Sequence, residues 1–431
     1  MRKLLLAASV MLLFSCSSHE GLEGDDIPGS SSELTFDEKL SLLDNYELPE
    51  QYALNILEAF DSKVILEGDG TRAQGEKNEF RITNKMQVPL NFNTPTRSDN
   101  DEKIVVYRIQ ISNRDKHGYA LVSGDIRNAS VIAYVPDTID ADPNIESAKA
   151  AANMMRDMSL MSSMKKIKDF NDKKEKLRKS ALEKQNKANT RSSYLEDNEL
   201  DDILNDLSIS YVKSDKWMPL MKTTWNQGSP YNCKLPQDCE AYSSRDSRYN
   251  TGCGVVAVAQ AIAYYEPKLT LYGTPVDWKS LKKTPNITVS SDKNVRNQVG
   301  YLMKWIGEKG NAVYECEGTS TRDIIGNILP MVDMKCDNNT SWSWEKIKGS
   351  IDKGNLVHAT AGTKDNIGHA WIMDGYLSAT YPGNNIVNFV HNNFGWSGFQ
   401  DGYYEIEDEI CFTAGGDTYF PRNLNPNINK K

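Results

Sequence analysis

The sequence predicts an α+β protein in two parts, and three observations lead to this class. Residues 105–135 alternate between apolar and polar side chains, as strands with one buried face do. Residues 253–265 are apolar on every side, which is typical of a helix buried inside a domain. Residues 366–376 return to strand-like alternation. Because 431 residues exceed one ordinary core, we expect two domains and a connecting segment.

The amino terminus has the pattern of a targeting segment. Arg2 and Lys3 precede an apolar stretch, residues 4–14, that is too short to span a bilayer as a helix. The tetrad that ends at Cys16 resembles the lipobox of bacterial lipoproteins, whose cysteine is lipidated. We therefore expect a signal peptide over residues 1–15, and a lipidated Cys16 with a flexible tether over 16–33. The alternative is a plain secretory signal with an incidental cysteine.

The tether and the overall charge bear on localisation and partners. Acidic residues between 20 and 26 resemble the surface-export signals of some Gram-negative gut lipoproteins, so we predict an exported outer-membrane lipoprotein. The net charge of −9 argues against a nucleic-acid partner. No other stretch is long and apolar enough to span a membrane, which leaves the lipid as the predicted membrane contact.

The first half predicts a small α+β domain over residues 34–160. Residues 34–61 have helical periodicity, with Ala53, Ile56, Leu57 and Phe60 on one face. Three strands then follow in an antiparallel meander between Val105 and Val135. Residues 161–215 form a charged helical connector, either a solvated helix face or a protease-sensitive link. Residues 216–431 form the second domain.

Six cysteines remain besides Cys16, and an exported protein could oxidise some of them. Cys233 with Cys239, and Cys316 with Cys336, would close short loops, although spacing does not determine connectivity. No pair is separated by two residues, so a zinc site is not expected.

Polar residues of the second domain occur in the order that a thiol nucleophile requires. Cys253 begins the buried helix, where unpaired N–H groups and the helix dipole favour the thiolate. His369 can take the thiol proton and pass it to the leaving amine, and an Asn carbonyl can orient the imidazole. The Gln227 amide and the Cys253 N–H can donate to an oxyanion. No metal or organic cofactor is required.

These motifs resemble those of the streptopain family of secreted bacterial cysteine endopeptidases. The matching segments are residues 225–228, 251–261, 368–376 and 391–398. The resemblance implies a papain-like catalytic domain, in which the buried cysteine helix packs on an antiparallel, barrel-like sheet. It also implies a zymogen whose N-terminal prodomain, matched by residues 107–135, inhibits the enzyme intramolecularly. From the charged composition of the connector we expect that a cut between about Lys165 and Lys216 releases the active domain.

Carried over to this sequence, the resemblance makes Cys253 the nucleophile, His369 the general base and acid, and Gln227 an oxyanion donor. Trp396 would shield the contact between His369 and its orienting residue. Asn393 is the expected orienter, although Asn392 beside it leaves the assignment open by one residue. Phe394 replaces a tryptophan that the family often has. His358 and His391 are interpreted as structural.

The sequence thus predicts a lipid-anchored cysteine endopeptidase that acts on protein or peptide substrates through an acyl-enzyme. A second hypothesis is a surface binding or inhibitor-like lipoprotein that keeps this fold without turnover. A third is a cysteine amidase or transferase that uses the same residues.

Overall fold

The computed structural model describes most of the chain, in segments. They are residues 34–65, 77–90, 102–113, 116–138, 146–187, 203–204, 212–239, 247–316, 318–338, 340–362, 368–381, 385–406, 412–414 and 417–430. The predicted signal peptide, Cys16 and the tether lie outside this range, as does Cys411. Within the described segments, no helix is both long and apolar enough to cross a bilayer.

The fold is α+β, as predicted, and is organised around one antiparallel sheet with the main order β1-β2-β3-β4-β14-β13-β12-β11-β16-β10. Strand β5 pairs with β12 and β15 pairs with β16. The strands of the sheet are β1 Glu79–Pro89, β2 Lys103–Asn113, β3 Lys116–Ser123, β4 Val131–Val135, β5 Val212–Trp217, β10 Met334–Lys335, β11 Leu356–Gly362, β12 Gly368–Tyr381, β13 Asn385–Asn393, β14 Gly402–Glu405, β15 Phe412–Ala414 and β16 Asp417–Lys430. Two short hairpins stand apart, β6 Thr270–Leu271 with β7 Thr274–Pro275 and β8 Val313–Tyr314 with β9 Thr319–Ser320.

The helices pack against this sheet. They are α1 Phe36–Ser41, α2 Glu50–Ala59, α3 Glu146–Lys187, α4 Cys253–Tyr265, α5 Trp278–Leu281, α6 Lys293–Lys309, α7 Ile324–Ile328 and α8 Trp344–Ile351. A π-helical turn covers Phe60–Ile65, and 3-10 turns cover Ile126–Asn128 and Leu329–Val332.

The predicted meander contains one strand more than expected. The strands β2, β3 and β4 follow the alternating pattern, and β1 precedes them as an outer strand. Its side chains are mostly exposed or half-buried, so it lacks the apolar alternation that marks the others. The predicted helix over 34–61 is divided into α1 and α2, since Pro49 begins the second helix.

The two halves of the chain share the sheet. Tyr134 and Ala133 of β4 pair with Tyr403 and Tyr404 of β14. The helix α3 is continuous over Glu146–Lys187 and therefore crosses the position, 160, at which we had divided the first domain from the connector.

The helix α4 has the predicted bounds. It begins at Cys253 and ends where Glu266 adopts the left-handed conformation before Pro267. Each residue from Gly254 to Ala263 is buried, because α6 and α7 cover one side of α4 and β12 the other. The all-round apolar sequence therefore reflects contact with protein in every direction.

The cysteine pairing differs from both loops suggested by the sequence. Cys239 is bonded to Cys316 across 77 residues. Cys253 and Cys336 carry free thiols. The hairpin of β8 and β9 lies near the loop before α4, where Thr319 donates to the Asn250 carbonyl, and this tertiary contact is invisible in the spacing of the cysteines.

Candidate active site

Cys253 is the first residue of α4, and a glycine determines how the chain enters the helix. Gly252 has φ of 93°, a left-handed region that favours glycine. A Cβ atom at this position would lie 2.8 Å from the side chain of Thr319. Gly252 therefore allows the loop to turn sharply against the β9 segment and to present the thiol at the start of the helix.

The sulfur of Cys253 lies among backbone N–H groups. The N–H groups of Ala370, Gly254 and Cys253 itself all interact with it and lower its pKa. Burial has the larger effect, however, and raises the pKa of the thiol above its ordinary value. The helix start favours the thiolate as expected, but in this conformation desolvation outweighs that preference. Because Ala370 follows His369, the sulfur lies beside the strand that carries the imidazole.

His369 is buried and neutral in this structure. Its Nε2 lies 2.9 Å from the backbone oxygen of Phe394. Since a carbonyl only accepts, Nε2 carries the proton and Nδ1 is left as the basic nitrogen. Burial lowers the pKa of His369 to about 4, although the bond to Phe394 opposes this effect. The structure thus pairs an un-ionised thiol with an un-ionised imidazole.

Two indoles lie parallel to the His369 ring. The centroid of Trp396 is 6.1 Å away at an interplanar angle of 15°, and that of Trp371 is 6.0 Å away at 16°. Trp396 is only 3% exposed, and its shielding role stays a prediction. Trp371 is a further residue of the site, and its signal in the sequence is its position two residues after His369, on the same face of the strand.

The partner of His369 differs from the one expected. The side chain of Asn393 does not supply the oxygen that faces Nε2, because the carbonyl of Phe394 does. Asn393 Oδ1 instead accepts from the Gly395 N–H at 3.2 Å. The Gly395 N–H and the Phe394 carbonyl belong to one peptide unit. Asn393 therefore acts on the imidazole through that peptide.

Asn392 faces the other side of β13. Its Oδ1 accepts from the Trp371 indole N–H at 2.7 Å, and its Nδ2 donates to the Val390 carbonyl at 3.0 Å. Asn392 thus holds an indole that stacks on His369, while its neighbour Asn393 holds the peptide. Adjacent strand residues point to opposite faces, which explains how both support the same ring from different directions.

Gln260 is a site residue that the sequence did not reveal. It lies on α4 and is completely buried. Its Nε2 donates to Asn393 Oδ1 at 2.8 Å, and its Oε1 accepts from the backbone N–H of Trp225 at 3.0 Å. Gln260 therefore ties three of the four motifs together. A polar residue within an otherwise apolar helix was the available signal, because a buried amide requires partners.

Gln227 lies near the nucleophile through its backbone. Its carbonyl accepts from the Thr251 N–H at 3.0 Å, two residues before Cys253. The side chain is 5% exposed, and its Nε2 is buried without a hydrogen-bond partner among the described residues. A buried amide donor without an acceptor is rare, and it marks a position that a negatively charged oxygen would satisfy.

A cluster of three ionisable side chains, Asp374, His391 and Asp401, lies beside the Phe394 loop. Asp374 Oδ1 is 2.7 Å from His391 Nδ1, and its Oδ2 accepts from the Met221 N–H at 3.0 Å. Asp401 Oδ1 accepts from the Phe394 N–H at 2.8 Å. His391 is thus part of a charged cluster. His358 is buried elsewhere, on β11, with its Nδ1 3.4 Å from Asn425 Oδ1.

Comparison with known proteins finds one matching family model. The model of the family described as "Peptidase C10 family" matches residues 225–404, a range that contains Gln227, Cys253, His369, Asn393 and Trp396. No curated protein sequence matches the chain.

Two solved structures from Prevotella intermedia resemble the fold. A fragment of prointerpain A is 18% identical, with a TM-score of 0.45, and the match covers 82% of this chain and 100% of that one. Active interpain A, described as a cysteine protease, is 22% identical, with a TM-score of 0.37, and the match covers 50% of this chain and 97% of the other.

Proposed function

We propose that this chain is a cysteine endopeptidase of the peptidase C10 family, the streptopain family, whose model matches residues 225–404. It is made as a zymogen, and in its mechanism Cys253 attacks the peptide carbonyl while His369 transfers the proton. The observation that carries this proposal is the Cys253 sulfur lying against the Ala370 N–H, beside an imidazole whose Nε2 is bound and whose Nδ1 is basic.

The first step follows from this tautomer. His369 Nδ1 takes the proton of the Cys253 thiol as the sulfur bonds to the carbonyl carbon of the substrate. The imidazolium that forms has a proton on each nitrogen, and the Phe394 carbonyl stabilises the one on Nε2. The same proton on Nδ1 then passes to the leaving amine, which leaves an acyl-enzyme. Water activated by His369 hydrolyses the thioester and restores the thiol.

Gln227 and the backbone N–H of Cys253 are proposed to hold the oxyanion. The unpartnered, buried Nε2 of Gln227 supports this role, since a substrate oxygen supplies the missing acceptor and accepts more strongly once it becomes negative. A donor that needs no rearrangement stabilises the tetrahedral intermediate without an energetic cost at the moment of reaction.

Asn393 is proposed as a positioning residue, not as a direct partner of His369. Its Oδ1 polarises the peptide between Phe394 and Gly395, whose carbonyl then accepts more strongly from the imidazole. Gly395 has φ of 74°, and a Cβ there would lie 2.9 Å from the side chain of Val256. Only glycine fits this turn, which keeps the peptide directed at His369.

The N-terminal half is proposed to restrain the peptidase. It contacts the strand β14 directly: Lys166 of α3 forms an ion pair at 3.0 Å with Glu405, which is buried, and Ser162 donates to the same carboxylate at 2.8 Å. Tyr119 of β3 donates at 2.6 Å to Gln400, in the loop that follows Trp396. These contacts hold the N-terminal half against β14 and the loop after Trp396, and we propose that this attachment restrains the site until the chain is cut.

Release would follow a cut between the two halves. Within the connector predicted over 161–215, α3 extends to Lys187 and β5 begins at Val212. Regular helices and strands resist proteolysis, so we propose the cut between these two elements, within residues 188–211. Lipidation of Cys16 and export to the outer membrane are proposed from the sequence alone, and loss of palmitate labelling in Cys16→Ala tests the anchor.

Casein hydrolysis tests the proposed function. The full-length protein, before and after limited proteolysis, is compared with Cys253→Ala and with Cys336→Ala, a matched loss of another free thiol. We expect clearing by wild type and Cys336→Ala after cutting, with iodoacetamide mapped to Cys253, and none by Cys253→Ala. Equal clearing by Cys253→Ala would refute the nucleophile, and full activity of the uncut protein would refute the zymogen.

A further inference from the structure

Two buried aspartates, one within the motif over 368–376 and one three residues after the motif over 391–398, have no part in the mechanism above, and their position points to a role. Asp374 follows His369 on β12, and Asp401 immediately precedes β14. Both carboxyls are buried, with Asp374 0% and Asp401 9% exposed. Burying two carboxyls near each other is costly unless each has partners, so their arrangement requires an explanation.

Phe394 connects Asp401 to His369 through two hydrogen bonds of its backbone. Asp401 Oδ1 accepts from the Phe394 N–H at 2.8 Å, and the Phe394 carbonyl accepts from His369 Nε2 at 2.9 Å. Residue 394 is therefore held at both its backbone polar groups, by a carboxyl on one side and by the imidazole on the other. A shift at Asp401 moves the acceptor on which the orientation of His369 depends.

Asp374 and His391 set the charge around Asp401. The ionisable groups that act on Asp401 are His391 on β13, which favours its ionised form, and Asp374 on β12, which opposes it. Tyr404 on β14 also faces Asp401, and Tyr404 in turn interacts with Tyr119 and Arg156. Burial opposes charge on His391, but the carboxylate of Asp374 raises the pKa of His391 overall.

We infer that Asp401 is a positioning residue for His369, acting through the backbone of Phe394, and that its ionised form holds the imidazole in its working orientation. His391, held by Asp374, supplies the positive charge that favours this form. The inference rests on the proposed function, because it assigns Asp401 to the same catalytic histidine.

A dependence on pH follows from this arrangement. Burial raises the pKa of Asp401 to about 7, while the bond from Phe394 and the charge of His391 oppose that rise. The carboxylate therefore forms as the pH rises through neutrality, and its bond to the Phe394 N–H becomes charge-assisted. A charge-assisted bond is roughly twice as strong as a neutral one. The rate of the step that uses His369 should therefore rise with pH in the same range.

The test compares Asp401→Asn with wild type in two assays across pH 5–9. Asparagine keeps the shape and an acceptor for the Phe394 N–H but has no charge. We expect kcat to fall about tenfold at pH 8 with KM unchanged, a change on the order of the strength of one charge-assisted hydrogen bond. We also expect the rise of activity near pH 7 to disappear. The rate at which iodoacetamide alkylates Cys253 should lose the same rise.

A second variant tests the charge relation without altering Asp401. His391→Gln removes a positive charge near Asp401, so the rise of activity with pH should move to higher pH. The variant that carries both His391→Gln and Asp401→Asn should have the same pH profile as Asp401→Asn alone. His358→Gln, another buried histidine, is the matched control and should keep the wild-type profile. Thermal melting verifies that each variant folds.

Each outcome decides the inference. A profile of Asp401→Asn that keeps the rise near pH 7 would overturn it, as would a profile of His391→Gln that coincides with wild type. If Asp401→Asn does not fold, the result with His391→Gln still decides. A protein that hydrolyses no peptide would refute the proposed function. The inference would still be tested by the pH profile of Cys253 alkylation, because alkylation needs no substrate.

Discussion

Replacing Gln260 by methionine should separate the three motifs that this amide joins. Methionine has a similar volume and the same freedom from β-branching, so the helix and its packing are preserved. Both hydrogen bonds are lost, and the buried Trp225 N–H and Asn393 Oδ1 each lose a partner. The Trp225 backbone N–H is left unsatisfied, which costs about 1–3 kcal/mol, whereas Asn393 Oδ1 still accepts from the Gly395 N–H and loses one bond worth about 0.5–1.5 kcal/mol. We therefore expect the unfolding free energy to fall by about 1.5–4.5 kcal/mol.

Activity should fall as well, because Asn393 loses the bond that fixes its side chain. The peptide that orients His369 is then held less firmly, and a displacement approaching 1 Å can cost on the order of a hundredfold in rate. We expect kcat to fall tenfold or more, with KM little changed. Urea unfolding followed by tryptophan fluorescence and steady-state peptide hydrolysis measure the two effects.

Gln260→Glu provides an internal control of the same size. A protonated carboxyl keeps both bonds, since it donates to Asn393 Oδ1 and accepts from the Trp225 N–H. An ionised carboxylate cannot donate to Asn393 Oδ1 and instead places a negative charge against that acceptor, so folding raises the pKa of the introduced glutamate. Its contribution to stability is then fully present below the unfolded pKa of about 4.3 and is lost as the pH rises through the folded pKa.

The two variants should therefore differ in their dependence on pH. Relative to wild type, Gln260→Glu should be nearly neutral at pH 4.5 and strongly destabilised at pH 8, whereas Gln260→Met should lose a similar amount at both. A loss below 1 kcal/mol for Gln260→Met, or a pH-independent effect for Gln260→Glu, would refute the reasoning.

Three further predictions concern the orienting residue, acid stability and latency. Asn393→Ala should lower kcat by tenfold or more by removing the acceptor of the Gly395 peptide, whereas Asn393→Asp, which keeps an acceptor, should lose less; equal losses would contradict the peptide relay. Burial lowers the pKa of His358 to about 4, so its neutral form contributes stability above about pH 6.5 that is lost as the pH falls towards 4. In urea unfolding, His358→Gln should therefore reduce the acid-induced loss of stability by roughly 3 kcal/mol. An unchanged loss would contradict this assignment. Lys166→Met removes an ion pair with the buried Glu405 and should shorten the lag before caseinolysis, whereas the exposed Lys168→Met should not; equal lags would refute the restraint.

The local elements were predictable because short-range rules determine them. The helix from Cys253 to Tyr265 was predictable at both ends, since a Gly turn precedes it and Glu266-Pro267 ends it. The three meander strands followed from alternation. The strand β1 did not, because it is an outer strand with little buried surface, and its polar pattern gives no apolar alternation to detect.

The long-range relations could not be read from the sequence. The bond between Cys239 and Cys316, the shared sheet at Ala133 and Tyr404, and the contacts of Gln260 all depend on tertiary folding. The partner of His369 was beyond reach for a different reason. Every residue has a backbone carbonyl, so the residue type at position 394 does not indicate that its carbonyl orients His369. A search among side chains therefore finds the neighbouring Asn393 instead.

The central claim is that Cys253 becomes acylated by the substrate. After proteolytic release, the protein is mixed for a few seconds with a peptide ester, quenched in acid to preserve a thioester, and mapped by mass spectrometry. We expect the acyl mass on the peptide that contains Cys253 in wild type, its absence in Cys253→Ala, and its loss on treatment with hydroxylamine. Hydrolysis of the ester at the wild-type rate by Cys253→Ala, with no acyl mass on Cys253 in wild type, would contradict the account.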